Sequence, residues 1–229
     1  MTTTASTSPA DLTEEMQAQS VAYAVLSRVF AREPDADLVT DVAEAQRSEG
    51  WPVAASTTPV RTGLALLGGD LADWDAAQLP ALRRDYLQLF VGPGHIPAAP
   101  WESVYRSKDH LIFEAETHAV RAFYRRHGLK APNNDREPDD HLALELAFML
   151  HLCTGAAHAL QAHEEARARE LLEAQREFLN AHLLRWAPAC LERVITHART
   201  GFYRGFGHLA LGTLAHAARE LELAPPSTG

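Results

Sequence analysis

The chain has 229 residues, 46% of them hydrophobic, so it is long enough to bury one substantial core. Its formal net charge of -9 argues against general nucleic-acid binding, which depends on Lys and Arg contacts to phosphate, and suits a basic partner better. Residues 1–10 contain no basic residue, and no later stretch reaches the roughly 18 consecutive apolar residues of a membrane span. We therefore expect a cytoplasmic protein that does not insert stably into a membrane.

The first ninety residues have the periodicity of amphipathic helices, with apolar residues spaced three, four and seven apart. Prolines mark several helix ends, and the first helix ends before Pro34. Helices are predicted at residues 11–32, from Asp35 or Asp37 onward, at 59–71 and over the segment that ends at Phe90. We expect a disordered tail at 1–10 and an N-terminal helical part at 11–90.

The stretch LFVGPGHIPAAPWESVY, residues 89–105, interrupts this helical pattern with two glycines and three prolines. Glycine permits backbone conformations that other residues avoid, and proline fixes its own, so this segment can be rigid without being helical. We predict a hinge loop at 91–104. The alternative is a packed connector whose aromatic side chains fill the core.

A C-terminal helical part is predicted at 105–223. Apolar residues from Leu111 to Phe123 indicate a helix that ends near Arg126, and Pro138 has the position of a first-turn proline in the next helix. Further helices are predicted at 164–185, 188–200 and 203–223, followed by a disordered tail at 224–229. Because alternating β-branched runs with hairpin turns do not occur, we predict an all-α fold, a single globular bundle of about nine or ten helices.

The two cysteines, Cys153 and Cys190, lie far apart in predicted helices without C-x-x-C spacing. This pattern is typical of small buried thiols in a reducing compartment. We therefore expect neither a disulfide framework nor a zinc cluster. The glycines of GPGHIP do not form the phosphate-binding motif G-x-x-x-x-G-K-[ST], and we expect no resident cofactor.

The segment EPDDHLALELAF, residues 137–148, contains the clearest group of polar side chains. His141 and Glu145 are four residues apart on one helical face, and Glu137 extends that line if the helix begins early. Carboxylate and imidazole at this spacing can share a metal ion, although a metal site needs more ligands than these. A metal-dependent helical-bundle enzyme is therefore one hypothesis.

The same segment also supports a second interpretation. Asp139 and Asp140 fall in the predicted first turn, where acidic residues complement the helix dipole. They would then form a solvent-accessible acidic rim, on which Asp140, oriented by His141, accepts hydrogen bonds from a guanidinium group of a partner. Such a charge-assisted bond contributes roughly 1.5 to 3 kcal/mol, which is enough to select an arginine.

Three motifs, DYLQLFVGPG, PWESVYR and PDDHLALEL, occur in this order within about residues 84–150. Together they resemble the TorD/DmsD/NarJ family of cytoplasmic chaperones for molybdoenzymes, and most closely its TorD/DmsD branch. The resemblance implies an all-helical protein that is not an enzyme. It would bind the twin-arginine leader peptide and the apo-form of a molybdoenzyme catalytic subunit, delay export and assist molybdenum cofactor insertion. It further implies a monomer or a domain-swapped dimer.

The resemblance also implies which residues bind the leader peptide. Those expected at the peptide are Tyr86, Phe90, Pro100, Trp101, Tyr105, Asp140 and His141, and those expected to support them are Glu102, Glu137 and Glu145. The chain departs from the commoner family pattern Pro-Pro-Tyr-Glu-Ser-Val-Tyr at two positions, where it has Ala99 and Trp101. A generic scaffold that binds a partner helix through an apolar groove is the remaining alternative.

Overall fold

The structure is a computed structural model, which describes residues 8–48, 50–107, 112, 115–131 and 137–223. The predicted tail at 224–229, most of the tail predicted at 1–10, and Leu111 at the predicted start of a helix lie outside these residues. The described chain contains ten α-helices and no β-strand, so the prediction of an all-α bundle is confirmed. The helices are α1 (Pro9–Ala31), α2 (Ala36–Ser48), α3 (Thr58–Leu71), α4 (Leu79–Tyr86), α5 (Glu102–Arg106), α6 (Ala115–Arg126), α7 (Leu142–Gln161), α8 (Glu165–Phe178), α9 (Leu184–His197) and α10 (Gly201–Glu220).

Two long helix pairs form the centre of the bundle. α1 packs along α7, and α3 packs along α10, so that helices from both ends of the sequence share one hydrophobic core. The α3–α10 pair depends on two facing glycines, because a Cβ atom at Gly205 would lie 2.9 Å from the carbonyl oxygen of Gly63. The predicted N-terminal and C-terminal parts are therefore packed together, and a hinge between them stays a prediction.

Local signals explain where α1 begins. Ser8 is its N-cap and accepts a hydrogen bond from Asp11 N–H at 3.2 Å, while the Asp11 carboxylate accepts one from Ser8 N–H at 3.3 Å. This capping box satisfies amide groups that lack helical partners. At its other end, α1 stops before Pro34, as the sequence predicts.

The segment from 165 to 197 differs from the prediction. A π-helical turn, Leu179–Leu183, joins α8 directly to α9, and Pro188 lies inside α9 rather than at the start of a new helix. The predicted break between 185 and 188 is therefore wrong. Proline usually ends a helix, but the hydrogen bonds just before Pro188 are already rearranged by the π turn.

A second π turn, Leu87–Val91, leads into the glycine- and proline-rich segment. Gly92 ends it with φ of 92°, a left-handed conformation that favours glycine. The chain then folds back, since Ala98 N–H donates to Leu89 O at 3.1 Å and residues 98–100 are buried. This half of the segment is packed against the core.

Among the described helices, α7 is long and apolar enough to cross a membrane, with a mean hydropathy of 1.3 over its most apolar window. Within the protein, 61% of that window is buried. A core helix of a globular protein has these same properties, and α7 packs between α1 and α8.

Candidate functional site

Two of the sequence motifs meet where two helices begin. Trp101 is the N-cap of α5 and His141 is the N-cap of α7. Their backbones form an isolated antiparallel bridge, in which two hydrogen bonds of 3.0 and 2.8 Å join residues 100–102 to 140–142. The PWESVYR and PDDHLALEL motifs are therefore directly paired, and both helices point away from the pairing.

α7 begins later than the sequence indicates. Residues 138–141 form a turn, in which His141 N–H donates to Pro138 O at 3.2 Å, and the first helical residue is Leu142. The His141 side chain caps this helix, because its Nδ1 atom accepts a hydrogen bond from Ala143 N–H at 3.1 Å. Proline and acidic residues are typical of a first helical turn, but here they occupy the turn that precedes it.

This later start changes the interpretation of the acidic residues. Asp139 and Asp140 precede α7 instead of lying in its first turn, and Glu137 does not extend the face that carries Glu145. The prediction of one aligned row of Glu137, His141 and Glu145 is wrong for this reason.

Trp101, Glu137 and His141 form a corner that solvent reaches. The Trp101 indole N–H donates to Glu137 Oε1 at 2.7 Å, and its ring meets the His141 ring edge-on, with centroids 5.9 Å apart. Trp101 and Glu137 are half-buried, whereas His141 is buried. We call these three residues the motif corner.

The motif corner holds a carboxylate beside a neutral imidazole. Burial raises the pKa of Glu137, although the Trp101 hydrogen bond opposes this shift. Burial lowers the pKa of His141 to about 4, so the ring is neutral at neutral pH. With Nδ1 acting as an acceptor, the proton belongs on Nε2. The corner therefore contributes negative charge without a neighbouring imidazolium.

Asp140 is not on an accessible rim. Its side chain is 0% exposed, and its two oxygens accept hydrogen bonds from Ser103 N–H at 2.8 Å and from Thr117 Oγ1 at 2.7 Å. The prediction of a solvent-accessible Asp140 is wrong, because this carboxylate caps α5 and holds α6 from inside. His141 orients its own helix rather than Asp140.

Asp139 has a similar structural role on the other side of the turn. Its carboxylate accepts two hydrogen bonds from the Arg121 guanidinium, at 2.8 and 3.3 Å, and its carbonyl oxygen accepts one from the Tyr124 hydroxyl at 3.1 Å. Both acidic residues of the PDDH turn thus fix α6 to the motif corner.

A second buried polar group lies beneath the corner and includes two predicted supporting residues. Glu102 is fully buried and contacts His182 Nδ1 at 2.8 Å and the Arg106 guanidinium. Glu145 accepts a hydrogen bond from the Trp186 indole at 3.2 Å, and its Oε1 has no partner among the described residues. Burial, followed by the charge of Glu102, raises the pKa of Glu145.

The remaining predicted residues do not all line one surface. Tyr86 and Phe90 are buried, and their rings pack with centroids 5.1 Å apart and planes inclined by 54°. Burial, with smaller effects of Glu137 and Glu33, raises the Tyr86 pKa to about 12. Pro100 is buried within the backbone pairing. The Tyr105 ring lies 5.5 Å from the Trp186 ring, within the packing of α5 on α9.

Sequence reasoning missed several partners of the acidic residues. These are Arg106, Thr117, Arg121, His182 and Trp186. Arg106 lies four residues after Glu102, a spacing that indicates an ion pair on a helix. The other pairs join residues 18 to 80 positions apart, for which a single sequence carries no signal.

The residues of the metal hypothesis are engaged with protein groups. His141 uses Nδ1 to cap α7, Glu137 accepts from Trp101, and Glu145 accepts from Trp186. In the described part of the chain, no group of three or more His, Cys, Asp or Glu side chains is arranged to hold a metal ion. No geometric observation favours this hypothesis.

Comparisons with known proteins agree with the motifs. A family model described as the nitrate reductase delta subunit matches residues 54–192. The chaperone protein TorD of Vibrio cholerae is 36% identical over 130 residues, 57% of each chain. The Tat proofreading chaperone DmsD of Salmonella typhi is 30% identical over 141 residues, 62% of each chain. A probable Tat proofreading chaperone DmsD of Haemophilus influenzae is 26% identical over 216 residues, 93% of this chain and 96% of the relative.

The extent of these matches differs. The chain spans less than two thirds of the TorD relative and of the Salmonella DmsD relative, at 57% and 62% of their lengths. The family model covers more than half of the chain and includes the glycine- and proline-rich segment and the motif corner.

Proposed function

This chain belongs to the TorD/DmsD branch of the nitrate reductase delta subunit family, and on that premise we propose that it is a cytoplasmic chaperone for a molybdoenzyme. It binds the leader peptide of the enzyme's catalytic subunit, delays export and assists molybdenum cofactor insertion. Its role is binding rather than catalysis.

The observation that supports this proposal is the chemistry of the motif corner. A twin-arginine leader presents planar guanidinium groups, which bind carboxylates with directed hydrogen bonds and stack on aromatic faces. The corner offers both partners side by side, a Glu137 carboxylate and the half-buried Trp101 ring. The neutral His141 adds no positive charge that would repel an arginine.

Glu137 takes the role that the sequence motif alone assigns to Asp140. The Asp140 carboxylate already accepts two hydrogen bonds inside the protein, so a guanidinium would have to replace them. We infer that Asp140 positions the corner by fixing α5 and α6, while Glu137 contacts the arginine. Binding then needs no rearrangement of the buried network, which favours affinity.

Calorimetric titration with a panel of synthetic molybdoenzyme leaders tests the proposal. Trp101→Phe removes the indole donor that orients Glu137, and we expect it to weaken binding. Trp74→Phe is the matched control, since the Trp74 indole donates to Thr40 Oγ1 at 3.2 Å and is also half-buried. A second panel has both arginines replaced by glutamine and should not bind.

Two results would contradict the proposal. The first is absence of binding across all leaders of the panel by the folded wild-type protein. The second is equal affinity for the arginine and glutamine peptides, because the motif corner would then play no part in recognition.

A further inference from the structure

A groove runs along one face of α7, beginning beside the C-terminal end of α6. It consists of two cavities that share Ala147 and His151, so they join into one continuous surface. We call it the α7 groove, and none of the motif-corner residues lines it.

The end of the α7 groove nearest α6 is apolar and rigid. Tyr124, Leu129, Leu144 and Phe148 line a cavity of about 220 Å³ there. The Tyr124 and Phe148 rings pack with centroids 4.9 Å apart, and the Tyr124 hydroxyl is fixed by its bond to the Asp139 carbonyl oxygen. The cavity is smaller than the roughly 300 to 1,000 Å³ of sites that enclose a small-molecule ligand, so it suits one or two apolar side chains.

The rest of the α7 groove presents basic side chains. Lys130 lies at the apolar end, His151 where the two cavities meet, and His158 at the far end. No Asp or Glu is among the described residues that line the groove. Within the described part of the chain, no carboxylate pairs with any of these three side chains. Their nitrogen atoms are therefore available to an anionic partner.

The arginines beside the α7 groove are already neutralised. Arg126 pairs with Glu177 at 3.0 Å at the end of α6, and Arg167 pairs with Glu170 at 2.8 Å on α8, which packs on α7. Each pair has no net charge, so Lys130 and the imidazoles set the local charge. The groove is therefore a basic surface on a chain whose formal net charge is -9. Such a surface complements an acidic partner.

The spacing of the histidines favours a peptide over a small anion. His151 and His158 are seven residues apart, which places them two turns apart on one helical face, with roughly 10 Å of rise between them. A single phosphate or carboxylate group is too small to contact both. A peptide in the polyproline II conformation has three residues per turn and rises about 3.1 Å per residue, so its side chains three residues apart project on the same side, about 9 Å apart.

We propose that the α7 groove binds an extended acidic segment of a partner protein. One apolar side chain of this segment enters the cavity beside Tyr124 and Phe148. Two carboxylates, three residues apart, accept charge-assisted hydrogen bonds from His151 and His158, and Lys130 adds a positive charge at the apolar end. The inference does not depend on the motif corner or on a leader peptide.

An NMR titration with two capped synthetic peptides tests the proposal. The first is Leu-Ser-Glu-Ser-Ser-Glu, and in the second both glutamates are replaced by glutamine. We expect the first peptide, at millimolar concentration, to produce saturable shifts of the imidazole ring protons of His151 and His158. The imidazole of His118 is the control signal, because it is exposed on α6 and does not line the groove. Signals are assigned from His→Gln variants at each of these three positions.

Several results of this titration would overturn the proposal. These are absence of saturable shifts with the glutamate peptide, equal shifts with both peptides, or a His118 shift as large as those in the groove. Inorganic phosphate at the same concentration should not move the two groove signals together. If it does, the groove is a site for small anions and the assignment to an extended peptide is wrong.

Lys130→Gln and Arg84→Gln form a matched pair of variants. Each removes one exposed positive charge, so both have the same net charge, but only Lys130 lines the groove. We expect Lys130→Gln to weaken binding of the glutamate peptide roughly three- to tenfold and Arg84→Gln to leave it within about twofold of wild type. Equal losses would show that net charge alone attracts the peptide and would overturn the proposal.

The pH dependence of binding tests contact with His151. Burial, followed by the charge of Arg167, lowers the pKa of His151, and a carboxylate in contact with the ring raises it again. Affinity for the glutamate peptide should therefore rise as pH falls from about 7.5 to about 6, and rise less in His151→Gln. The other charged and titratable groups around His151 are Arg126, His127, Lys130, His158, Arg167 and Glu170. A wild-type affinity that does not change over this range would contradict the proposed contact.

Discussion

Replacing Asp140 distinguishes a carboxylate that positions the motif corner from one that contacts an arginine of the leader peptide. In the structure Asp140 is fully buried and accepts hydrogen bonds from Ser103 N–H at 2.8 Å and Thr117 Oγ1 at 2.7 Å. Hydrogen bonds to a charged group contribute roughly 1.5 to 3 kcal/mol each. Asp140→Ala leaves both donors buried without an acceptor, so we expect the free energy of unfolding to fall by about 3 to 5 kcal/mol.

Asp140→Asn is the informative companion variant. Its amide oxygen can still accept from Ser103 N–H, and its NH₂ group can donate to the Thr117 hydroxyl, which can act as either partner. Only the charge assistance is lost, so we expect a decrease of about 1 to 2 kcal/mol. The folded Asn variant should keep leader affinity within roughly threefold of wild type.

Denaturant unfolding followed by circular dichroism measures the change in stability, and calorimetry with a leader peptide measures the change in affinity. An Asp140→Ala protein with wild-type stability would refute the structural role. A folded Asp140→Asn protein that has lost leader binding would refute the positioning role and indicate direct contact with the arginine. Thr117→Val should lower stability in the same direction as Asp140→Asn, because it removes one of the same two bonds.

Three further predictions follow from the structure. Glu137→Gln should weaken leader binding roughly 10- to 100-fold at pH 7 and should remove the pH dependence of binding. Wild-type affinity should fall as pH decreases through the raised pKa of Glu137 toward 4.5, and calorimetry at several pH values measures both effects. Burial raises the pKa of Glu145, so this carboxyl group loses its proton at a lower pH in the unfolded chain than in the folded protein. The free energy of unfolding of the wild type should therefore decline as pH rises above 4.5. Denaturant unfolding of Glu145→Gln should not show this decline. Gly205→Ala should lower the free energy of unfolding by about 1 to 3 kcal/mol, because its Cβ atom would lie 2.9 Å from Gly63 O. Gly69→Ala is the control: a Cβ atom there meets open space, so this variant should raise the free energy of unfolding by about 0.5 to 1 kcal/mol.

The helical framework could be predicted because it depends on local signals. Apolar periodicity and flanking prolines were sufficient for α1, α3 and the C-terminal end of α6. The start of α7 was mispredicted because Pro138, Asp139 and Asp140 satisfy the rules for a first helical turn equally well when they form the turn before it. His141 is an unusual N-cap, so its side chain gave no warning.

The burial of the acidic residues could not be predicted from a single sequence. Charged residues are rarely buried unless they are paired, and the partners of Asp140, Glu102 and Asp139 come from distant segments. The motif resemblance points to this region of the chain, but it gives no information about which of its side chains are buried. Glu137, named only as a supporting residue, is the carboxylate that reaches the surface.

Under the proposed function, the buried network beneath the motif corner explains how a half-buried site of so few residues can be selective. Asp139 pairs with Arg121, and Glu102 contacts both Arg106 and His182, so these acidic side chains hold α5, α6 and the π turn before α9 in place. The conformational entropy of these side chains is lost when the protein folds, so it is not lost again when a peptide binds. Glu137 and Trp101 are therefore held in a fixed geometry, and we expect a leader arginine to gain its hydrogen-bond and stacking energy without a further ordering cost. Because this energy is only a few kcal/mol, we expect that a leader bound at the motif corner can be released without unfolding of the protein.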